Sequence, residues 1–266
     1  MTLAPVEERD DVVVPPHTPF LSHSRLNRYL HCPEQYRLYY VENLRRRVPA
    51  ANLVFGQIVH QALAALFEHG CDPAEAFAQT WTAMREADLE YAARDSWQSL
   101  RDAGRGLLDR FVRNDVPRIA RAEAVEKTFE LQVTDLDLPF VGVIDLVAWL
   151  DDKRTVIDFK TAGASYQPYE VALSDQLTAY QLAEPGATQA ALCVFVKTKV
   201  PQIEWHLTRR TGAELALYLT KVQLVAHAVA AAEFYKRPGK WCAWCDYLPV
   251  CLGDQRQIDA TLVQIR

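Results

Sequence analysis

The chain has 266 residues, half of them hydrophobic and about one quarter charged, with a formal net charge of −5. This composition excludes a disordered or fibrous chain, and it allows one large folded domain. The negative net charge argues against a protein that coats nucleic acid through bulk attraction.

Residues 1–20 are predicted to form a flexible N-terminal tail. They contain a group of acidic residues and the pair Pro15–Pro16, and they lack the basic start and apolar run of a signal peptide. The longest apolar run, 141–150, is interrupted by Asp145 and is too short to cross a bilayer. We therefore expect a cytoplasmic protein whose residues 21–266 form a single domain.

The first half of the domain is predicted to be helical. One helix is expected over 26–40, after a cap at Ser22 or Ser24, and a second over 55–69, where the apolar residues form one buried stripe. Helical periodicity continues over 74–116 and predicts two further helices that form a side lobe. The first half of the domain therefore supplies helices that can pack against the second half.

The second half is predicted to contain a β-sheet. Alternating and β-branched residues indicate five strands, over 125–133, 138–150, 154–161, 190–200 and 202–208. A helical stretch, 169–182, separates the third strand from the fourth, and a long helix over 211–235 comes after the fifth. The pattern predicts an α/β fold with a central mixed sheet, a crossover and flanking helices.

Two acidic positions lie inside predicted strands. Asp145 has apolar neighbours on both sides, and an unpaired buried carboxylate costs several kcal/mol, so it requires a cation or strong hydrogen bonds. Asp158 and Lys160 are two residues apart on the next strand and so project side by side. Two carboxylates on adjacent strands can hold a divalent cation, and the amine can serve an attacking water. A structural ion pair at Asp145, or a surface pair on an edge strand, remains the alternative.

Three further residues extend this acidic centre. His60 lies one helical turn after Gly56, and imidazole is a suitable third ligand for manganese or a similar ion. Gln176 and Tyr180 share one helix face just after the third strand, where they could contact phosphates or brace Lys160. Taken singly, each of the three is an ordinary helix residue.

Together these motifs resemble the RecB-like branch of the PD-(D/E)xK nucleases. Gly56-x-x-x-His60, Gly142-Val-Ile-Asp145, Asp158-Phe-Lys160 and Gln176-x-x-x-Tyr180 occur in the order of that family, and no proline precedes Asp145. The resemblance implies a restriction-endonuclease-like core in which His60, Asp145 and Asp158 ligate Mg²⁺ or Mn²⁺. It further implies that Lys160 serves the attacking water and that Gln176 and Tyr180 support the site.

Four of the six cysteines form a second candidate site. Cys242, Cys245 and Cys251 are spaced as metal or cluster ligands, and Cys32 is the plausible fourth. Disulfides are not expected in the cytosol, where thiols stay reduced. Spacing leaves zinc and an iron-sulfur cluster both open, and Cys71 and Cys193 receive no role.

The cysteine arrangement resembles the iron-sulfur variety of the same nucleases, found in AddB-type subunits and CRISPR-associated exonucleases. The resemblance extends to the N-terminal element from Ser24 to Tyr36. It implies a 4Fe-4S cluster that ties segments 22–40 and 238–255 together as a clasp. Closing a loop of about 200 residues would remove unfolded-state freedom worth a few kcal/mol.

The predicted activity is hydrolysis of phosphodiesters in DNA, by an exonuclease that acts on single strands or ends. Two alternatives remain: a non-catalytic adaptor subunit of a helicase-nuclease or CRISPR adaptation machine, and a zinc-stabilised endonuclease of the same superfold. No phosphate-loop motif occurs, so unwinding would require a helicase partner. Basic residues form four clusters, and each one alone is typical of a solvated surface: Arg45–Arg47, Lys197 with Lys199, Arg209 with Arg210, and Lys236 and Arg237 with Lys240.

Overall fold

The computed structural model describes residues 20–265, so nearly all of the predicted tail lies outside the described residues. Short non-α helices occur at Arg37–Val41, Val116–Arg118 and Lys240–Trp244. In chain order, the other elements are α1 (His23–His31), α2 (Pro33–Tyr36), β1 (Leu44–Arg46), α3 (Ala51–His69), α4 (Pro73–Ala83), α5 (Trp97–Asn114), β2 (Ile119–Leu131), β3 (Phe140–Leu150), β4 (Lys153–Ala162), α6 (Pro168–Ala172), α7 (Asp175–Ala183), β5 (Gln189–Val196), β6 (Gln202–Thr208), α8 (Gly212–Ala230), α9 (Leu248–Leu252), α10 (Gln255–Thr261) and β7 (Leu262–Gln264).

A five-stranded mixed sheet has the strand order β2-β3-β4-β5-β6. The β3–β4 hairpin turns at Asp151 and Asp152, which both have positive φ, as tight hairpin turns require. Strands β4 and β5 are parallel, so the chain between them crosses over through α6 and α7. Strand β6 is antiparallel to β5. The predicted α/β class and central mixed sheet are confirmed, and β4 is the middle strand.

The prediction of one helix over 26–40 is wrong. Helix α1 begins after Ser22, whose hydroxyl accepts a hydrogen bond from the Arg25 N–H at 3.2 Å, and it ends at His31. Cys32 is extended, with φ −160°, because the ring of Pro33 disfavours a helical residue before it. The chain then continues through α2 and a π-helix, so Cys32 lies at a break between two helices.

The region 74–116 contains two long helices, as predicted. Helix α4 is capped by the Asp72 side chain, and α5 begins with a capping box at Ser96. The rings of Phe77, Trp81 and Phe111 are fully buried. The Phe111 ring packs 5.1 Å from the Phe195 ring of β5, so α5 covers one face of the sheet.

The described chain divides into two compact units. The first contains the chain up to Pro49, Leu131–Val141 and the chain from Leu219 onward, and the second contains Ala50–Glu130 and Gly142–Tyr218. In the first unit β1 pairs antiparallel with β7, which the sequence did not predict. Within residues 20–265 no helix combines the length and apolarity that a membrane crossing needs.

Candidate functional site

Adjacent strands bring two acidic residues together inside the second unit. In the β3–β4 register Leu146 lies opposite Ile157, so Asp145 and Asp158 are the next residues along their strands. Only 4% of Asp145 and 1% of Asp158 is exposed. Because two carboxylates in such surroundings repel each other and lose hydration, this centre is suited to a cation.

The carboxylate of Asp145 is fixed on both of its oxygens. Its Oδ2 accepts a hydrogen bond from the backbone N–H of Phe159 at 2.8 Å, and its Oδ1 lies 3.3 Å from His60 Nδ1. Asp145 of β3 is therefore in contact with both β4, through Phe159, and α3, through His60. The position of this acid therefore does not depend on a bound ion.

Gly56 explains how α3 comes so close to β4. A Cβ atom at Gly56 would lie 3.2 Å from Thr161 Oγ1, tighter than ordinary van der Waals contact. The absence of a side chain at Gly56 lets the helix approach the Thr161 side chain of β4. One turn later the same helix presents His60 to Asp145.

Asp158 and Lys160 face each other, as their spacing on β4 predicts. Lys160 Nζ donates to Asp158 Oδ1 at 3.1 Å and lies 3.0 Å from Oδ2. That second approach lacks hydrogen-bond geometry, and the buried Oδ2 has no hydrogen-bond partner within the described residues. An oxygen in this state has lone pairs available for a cation.

The charges of this centre shift both pKa values. Burial raises the pKa of Asp158; the Lys160 amine opposes that rise and the Asp145 carboxylate adds to it. Burial alone would lower the pKa of Lys160, but the carboxylates of Asp158 and Asp145 outweigh burial and raise it. The amine is therefore held as a cation beside the acids.

Gln176 and Tyr180 lie on one face of α7 and contact each other. Gln176 Nε2 donates to the Tyr180 hydroxyl at 2.9 Å; that hydroxyl donates to the Val143 carbonyl at 2.6 Å and lies 3.3 Å from Asp158 Oδ1. The pair therefore braces Asp158, whereas the sequence had suggested Lys160 as one possible target.

Glu126 of β2 joins the site, although nothing in the sequence singled it out. His60, Glu126 and Asp145 each offer one ligand atom, and these atoms all lie within 4.8 Å of one another. Asp158, predicted as the third ligand, is not in this group, and its carboxylate faces Lys160. His60 and Asp145 thus meet as predicted, and the third member of the compact group is a different acid.

The backbone of Glu126 shows why sequence patterning missed it. Its φ is +47°, which breaks the regular alternation of side chains along β2. Glu123, Glu126 and Glu130 all occur in this strand, and their spacing gives no reason to prefer one of them. The positive φ is invisible in the sequence.

The donor set fits a divalent cation. His60, Glu126 and Asp145 offer one imidazole and two carboxylates, and Asp158 on the adjacent strand adds a third carboxylate. Lys160 offsets the charge of only one of these acids, so the site keeps excess negative charge. Oxygen donors with one imidazole suit magnesium or manganese. The buried Asp158 Oδ2 without a hydrogen bond is the observation on which this fit rests.

Two members of the basic clusters are structural. Arg45 is buried, and its guanidinium lies 3.4 Å from the centroid of the Tyr39 ring. Arg210 is buried as well, where its Nε donates to Thr178 Oγ1 at 2.8 Å and its Nη2 donates to the Ser174 carbonyl at 3.0 Å. Arg210 therefore holds the start of α7, the helix that carries Gln176 and Tyr180.

The four predicted cluster cysteines all lie in the first unit. Burial raises the pKa of the Cys251 thiol; Lys236 lowers it, and Cys245 and Cys32 are near enough to raise it further. Gln35 Nε2 donates to Cys245 Sγ at 3.4 Å. Cysteines distant in sequence therefore lie in one neighbourhood.

Contacts beside these cysteines join the two segments that carry them. The His31 and Trp241 rings pack edge to face at 5.8 Å, next to Cys32 and Cys242 respectively. The Tyr29 hydroxyl donates to the Glu233 carbonyl at 2.8 Å. In the described part of the chain, no three of the cysteine Sγ atoms lie within 4.8 Å of one another.

Comparisons with known proteins identify the family and the fold of the chain. The model of the family described as the PD-(D/E)XK nuclease superfamily matches residues 20–252. No curated protein matches the chain significantly. A crystal structure named "Putative exonuclease" from Eubacterium rectale aligns with TM-score 0.56 and 12% identity, over 87% of this chain and 86% of that chain. That likeness shows the fold alone. The crystal structure of SSO0001 aligns over 74% of this chain and 83% of that chain, with 17% identity and TM-score 0.39, too low to support any conclusion.

Proposed function

Because the chain belongs to the PD-(D/E)XK nuclease superfamily, we propose that it is a metal-dependent deoxyribonuclease that hydrolyses phosphodiester bonds. Two contacts on the adjacent strands β3 and β4 support this proposal: His60 of α3 lies 3.3 Å from Asp145, and Lys160 lies 3.0 Å from Asp158. A nuclease of this type needs carboxylates for a cation and an amine near the attacked phosphate, and both occur here.

We assign the cation to His60, Asp145 and Asp158, with Glu126 as a further carboxylate ligand. A bound divalent ion supplies charge stabilisation for the phosphate in the transition state. Lys160, held as a cation by its carboxylate neighbours, orients the attacking water and offsets phosphate charge. Tyr180, itself contacted by Gln176, keeps Asp158 in place.

We propose further that the enzyme belongs to the RecB-like branch and acts as an exonuclease on single-stranded DNA or DNA ends. The four motifs from Gly56 to Tyr180 support the branch. The exonuclease mode is part of the proposal, and it is the activity that the name "Putative exonuclease" gives to the Eubacterium rectale protein of similar fold. Helicase or CRISPR adaptation partners would then supply the unwound strand.

The proposal is tested with end-labelled single- and double-stranded DNA in Mg²⁺, in Mn²⁺ and in EDTA. We expect metal-dependent release of short products from the wild type and none from Asp158→Ala. DNA binding without cleavage by both proteins in every metal would instead identify a non-catalytic adaptor. Cleavage that persists in EDTA would overturn the metal assignment.

We propose that Cys32, Cys242, Cys245 and Cys251 hold a 4Fe-4S cluster that clasps residues 22–40 to 238–255. A single tetrahedral zinc with Zn–S bonds of about 2.3 Å places its sulfurs roughly 3.8 Å apart. In a four-iron cluster each thiolate binds a different iron, so the sulfurs stand farther apart. The thiols of Cys32, Cys245 and Cys251 lie in one neighbourhood without all three meeting within 4.8 Å, a spacing that the larger group accommodates.

Anaerobic purification separates these two occupants. We expect a brown protein with broad visible absorption and about four irons and four sulfides per chain. A colourless protein with one equivalent of zinc would replace the cluster by a structural zinc site and favour the zinc-stabilised endonuclease. Neither outcome changes the residues proposed for the acidic site, which belong to the other unit.

A further inference from the structure

Lys197 lies at the same edge of the sheet as Lys160 but has no part in the acidic site. It comes directly after the last residue of β5, and its backbone N–H donates to the Ala162 carbonyl at the end of β4 at 2.7 Å. Since β4 and β5 are parallel, both lysines lie toward the carboxyl ends of these strands.

The Lys197 amine is held by uncharged groups. Its Nζ donates to Asn52 Oδ1 and lies 4.7 Å from the centroid of the Phe55 ring. The Asp95 carboxylate lies beyond Asn52, whose Nδ2 donates to Asp95 Oδ2 at 3.0 Å. Across residues 20–265, Lys197 thus forms no ion pair with a carboxylate, in contrast to Lys160.

A cation in this place is unfavourable by itself. Lys197 is half-buried, and burial lowers its pKa although Asp95 partly opposes that shift. Asn52 is the second residue of the 19-residue helix α3, so the amine also lies near the positive end of the helix dipole. An anion that arrived beside Nζ would relieve both costs.

One face of α3 connects this amine to the acidic site. Asn52, Gly56 and His60 recur every four residues and so lie along one side of the helix. Gly56 lies against Thr161, and His60 contacts Asp145. Asn52 and His60 are separated by roughly 12 Å along the axis, from eight steps of about 1.5 Å. This distance is too long for one phosphate to reach both.

We propose that Lys197, held by Asn52, binds a second phosphate of the DNA strand that is cut at the acidic site, at a distance from the scissile phosphate. The proposal rests on the proposed nuclease function, since it makes Lys197 a second contact to the same strand. The amine supplies the charge, Asn52 fixes its direction, and the face of α3 sets the distance from the metal ligands. Lys197 thereby sets which part of the strand lies at the acidic site.

The test measures binding rather than cleavage, in an Asp158→Asn background, with single-stranded oligonucleotides in Mg²⁺. Each oligonucleotide carries one methylphosphonate, which removes the charge of one phosphate. We expect a methylphosphonate to weaken binding at one position besides the scissile phosphate. In the Lys197→Gln protein, a methylphosphonate at that position should no longer weaken binding. The slope of log affinity against log salt should fall by about 0.7, the value for one phosphate contact on a single strand.

Lys199→Gln is the matched control, because Lys199 is exposed two residues away. Lys197→Arg should keep the wild-type slope, and Lys197→Met keeps the apolar stem over Phe55 if the Gln variant is unstable. Equal slopes for the Lys197→Gln and Lys199→Gln proteins, or unchanged methylphosphonate penalties, would overturn the proposal. A wild type that binds in this pattern but never cleaves would contradict the proposed function and leave the phosphate contact standing.

Discussion

The acidic site and the cysteine region differ in what holds their ligands in place. Asp145 is fixed by a backbone N–H of β4 and by His60, and Asp158 is contacted by Lys160 and Tyr180. In the cysteine region Gln35 donates to Cys245, and the thiols within the described chain do not converge to the distance of one small ion. Contacts within the fold hold the acidic ligands in place, whereas the proposed cluster would hold together the segments that carry the cysteines.

This difference predicts opposite consequences of removing a ligand. Loss of an acidic ligand should abolish chemistry and leave the unit folded, because sheet and helix contacts already fix the site. Loss of a cysteine should lower the free energy of unfolding and affect chemistry only indirectly. We expect the largest effect, a loss of activity, when a ligand of the cation is removed. We expect the smallest effect, a loss of stability, when a carboxylate remote from the cation is removed.

The largest effect is expected for Asp158→Asn. Removing this ligand should lower kcat on the order of 10³-fold or more, because the charge facing the cation is lost. The melting temperature should stay unchanged or rise, since burial and the Asp145 charge raise the pKa of Asp158 and its ionised form therefore destabilises the fold at neutral pH. Cleavage rates and thermal melts check both parts. Asp152→Asn in the exposed β3–β4 turn is the matched control and should match the wild type. A folded Asp158→Asn protein with full activity would contradict the site.

The next effect is expected for Cys251→Ala. The loop between Cys32 and the C-terminal cysteines would no longer be closed, which should cost on the order of 3–5 kcal/mol of unfolding free energy. Anaerobic denaturant titration measures this loss. Cys71→Ser, at an exposed cysteine, should leave stability unchanged. Equal midpoints for the two variants would show that no clasp forms.

A smaller effect is expected for Gly142→Ala, which should lower both the stability and the activity of the second unit. A Cβ there would lie 2.6 Å from the Phe129 ring, and that ring packs edge to face on Tyr180 at 6.1 Å. Overpacking should cost about 1–3 kcal/mol and lower activity by displacing the Tyr180 hydroxyl from Asp158. Gly163→Ala, which meets nothing within 4 Å, is the control for denaturation and activity assays. Unchanged activity for Gly142→Ala would mean that Tyr180 does not position Asp158.

The smallest effect is expected for Glu184→Gln, at a carboxylate of the same unit that is already paired. Burial raises the pKa of Glu184, but hydrogen bonds from Lys127 at 2.9 Å and Arg154 at 3.0 Å outweigh burial and lower it. Because the pKa of Glu184 is lower in the folded state than the unfolded-state value of about 4.3, the ionised carboxylate stabilises the fold at pH values above about 4.3. This stabilisation is lost as the pH falls through the folded-state pKa.

We therefore expect Glu184→Gln to be about 1 kcal/mol less stable at pH 7, with the difference shrinking toward pH 3. Urea titrations across this pH range measure it, with exposed Glu130→Gln as the control. A difference that stays constant with pH would mean that ionisation of Glu184 does not stabilise the fold.

The sequence predicted those parts of the fold that local patterning determines. The five strands and the side-by-side placement of Asp158 and Lys160 result from alternation along strands. Pairing of β1 with β7 could not be predicted, because each strand has three residues and they lie more than 200 positions apart. The helix break at Cys32 is predictable from Pro33, because proline disfavours a helical conformation in the residue before it.

The candidate site was only partly predictable for the same reason. His60 and Asp145 stand out because short motifs surround them, and the structure places them 3.3 Å apart. Glu126 reaches the site through a positive φ that no spacing reveals. The role of Tyr180 beside Asp158 depends on how α7 packs on the sheet, a tertiary contact that helix periodicity does not determine.

The proposed divalent ion would bind between His60 and the acids of β3 and β4. The most direct measurement is an anomalous difference map from crystals soaked in Mn²⁺, with Asp145→Asn crystals soaked in parallel. We predict one strong peak within about 2.0–2.2 Å of ligand atoms from His60, Asp145 and Asp158, and its loss in the Asp145→Asn protein. A peak elsewhere, or the same peak in both proteins, would contradict this claim.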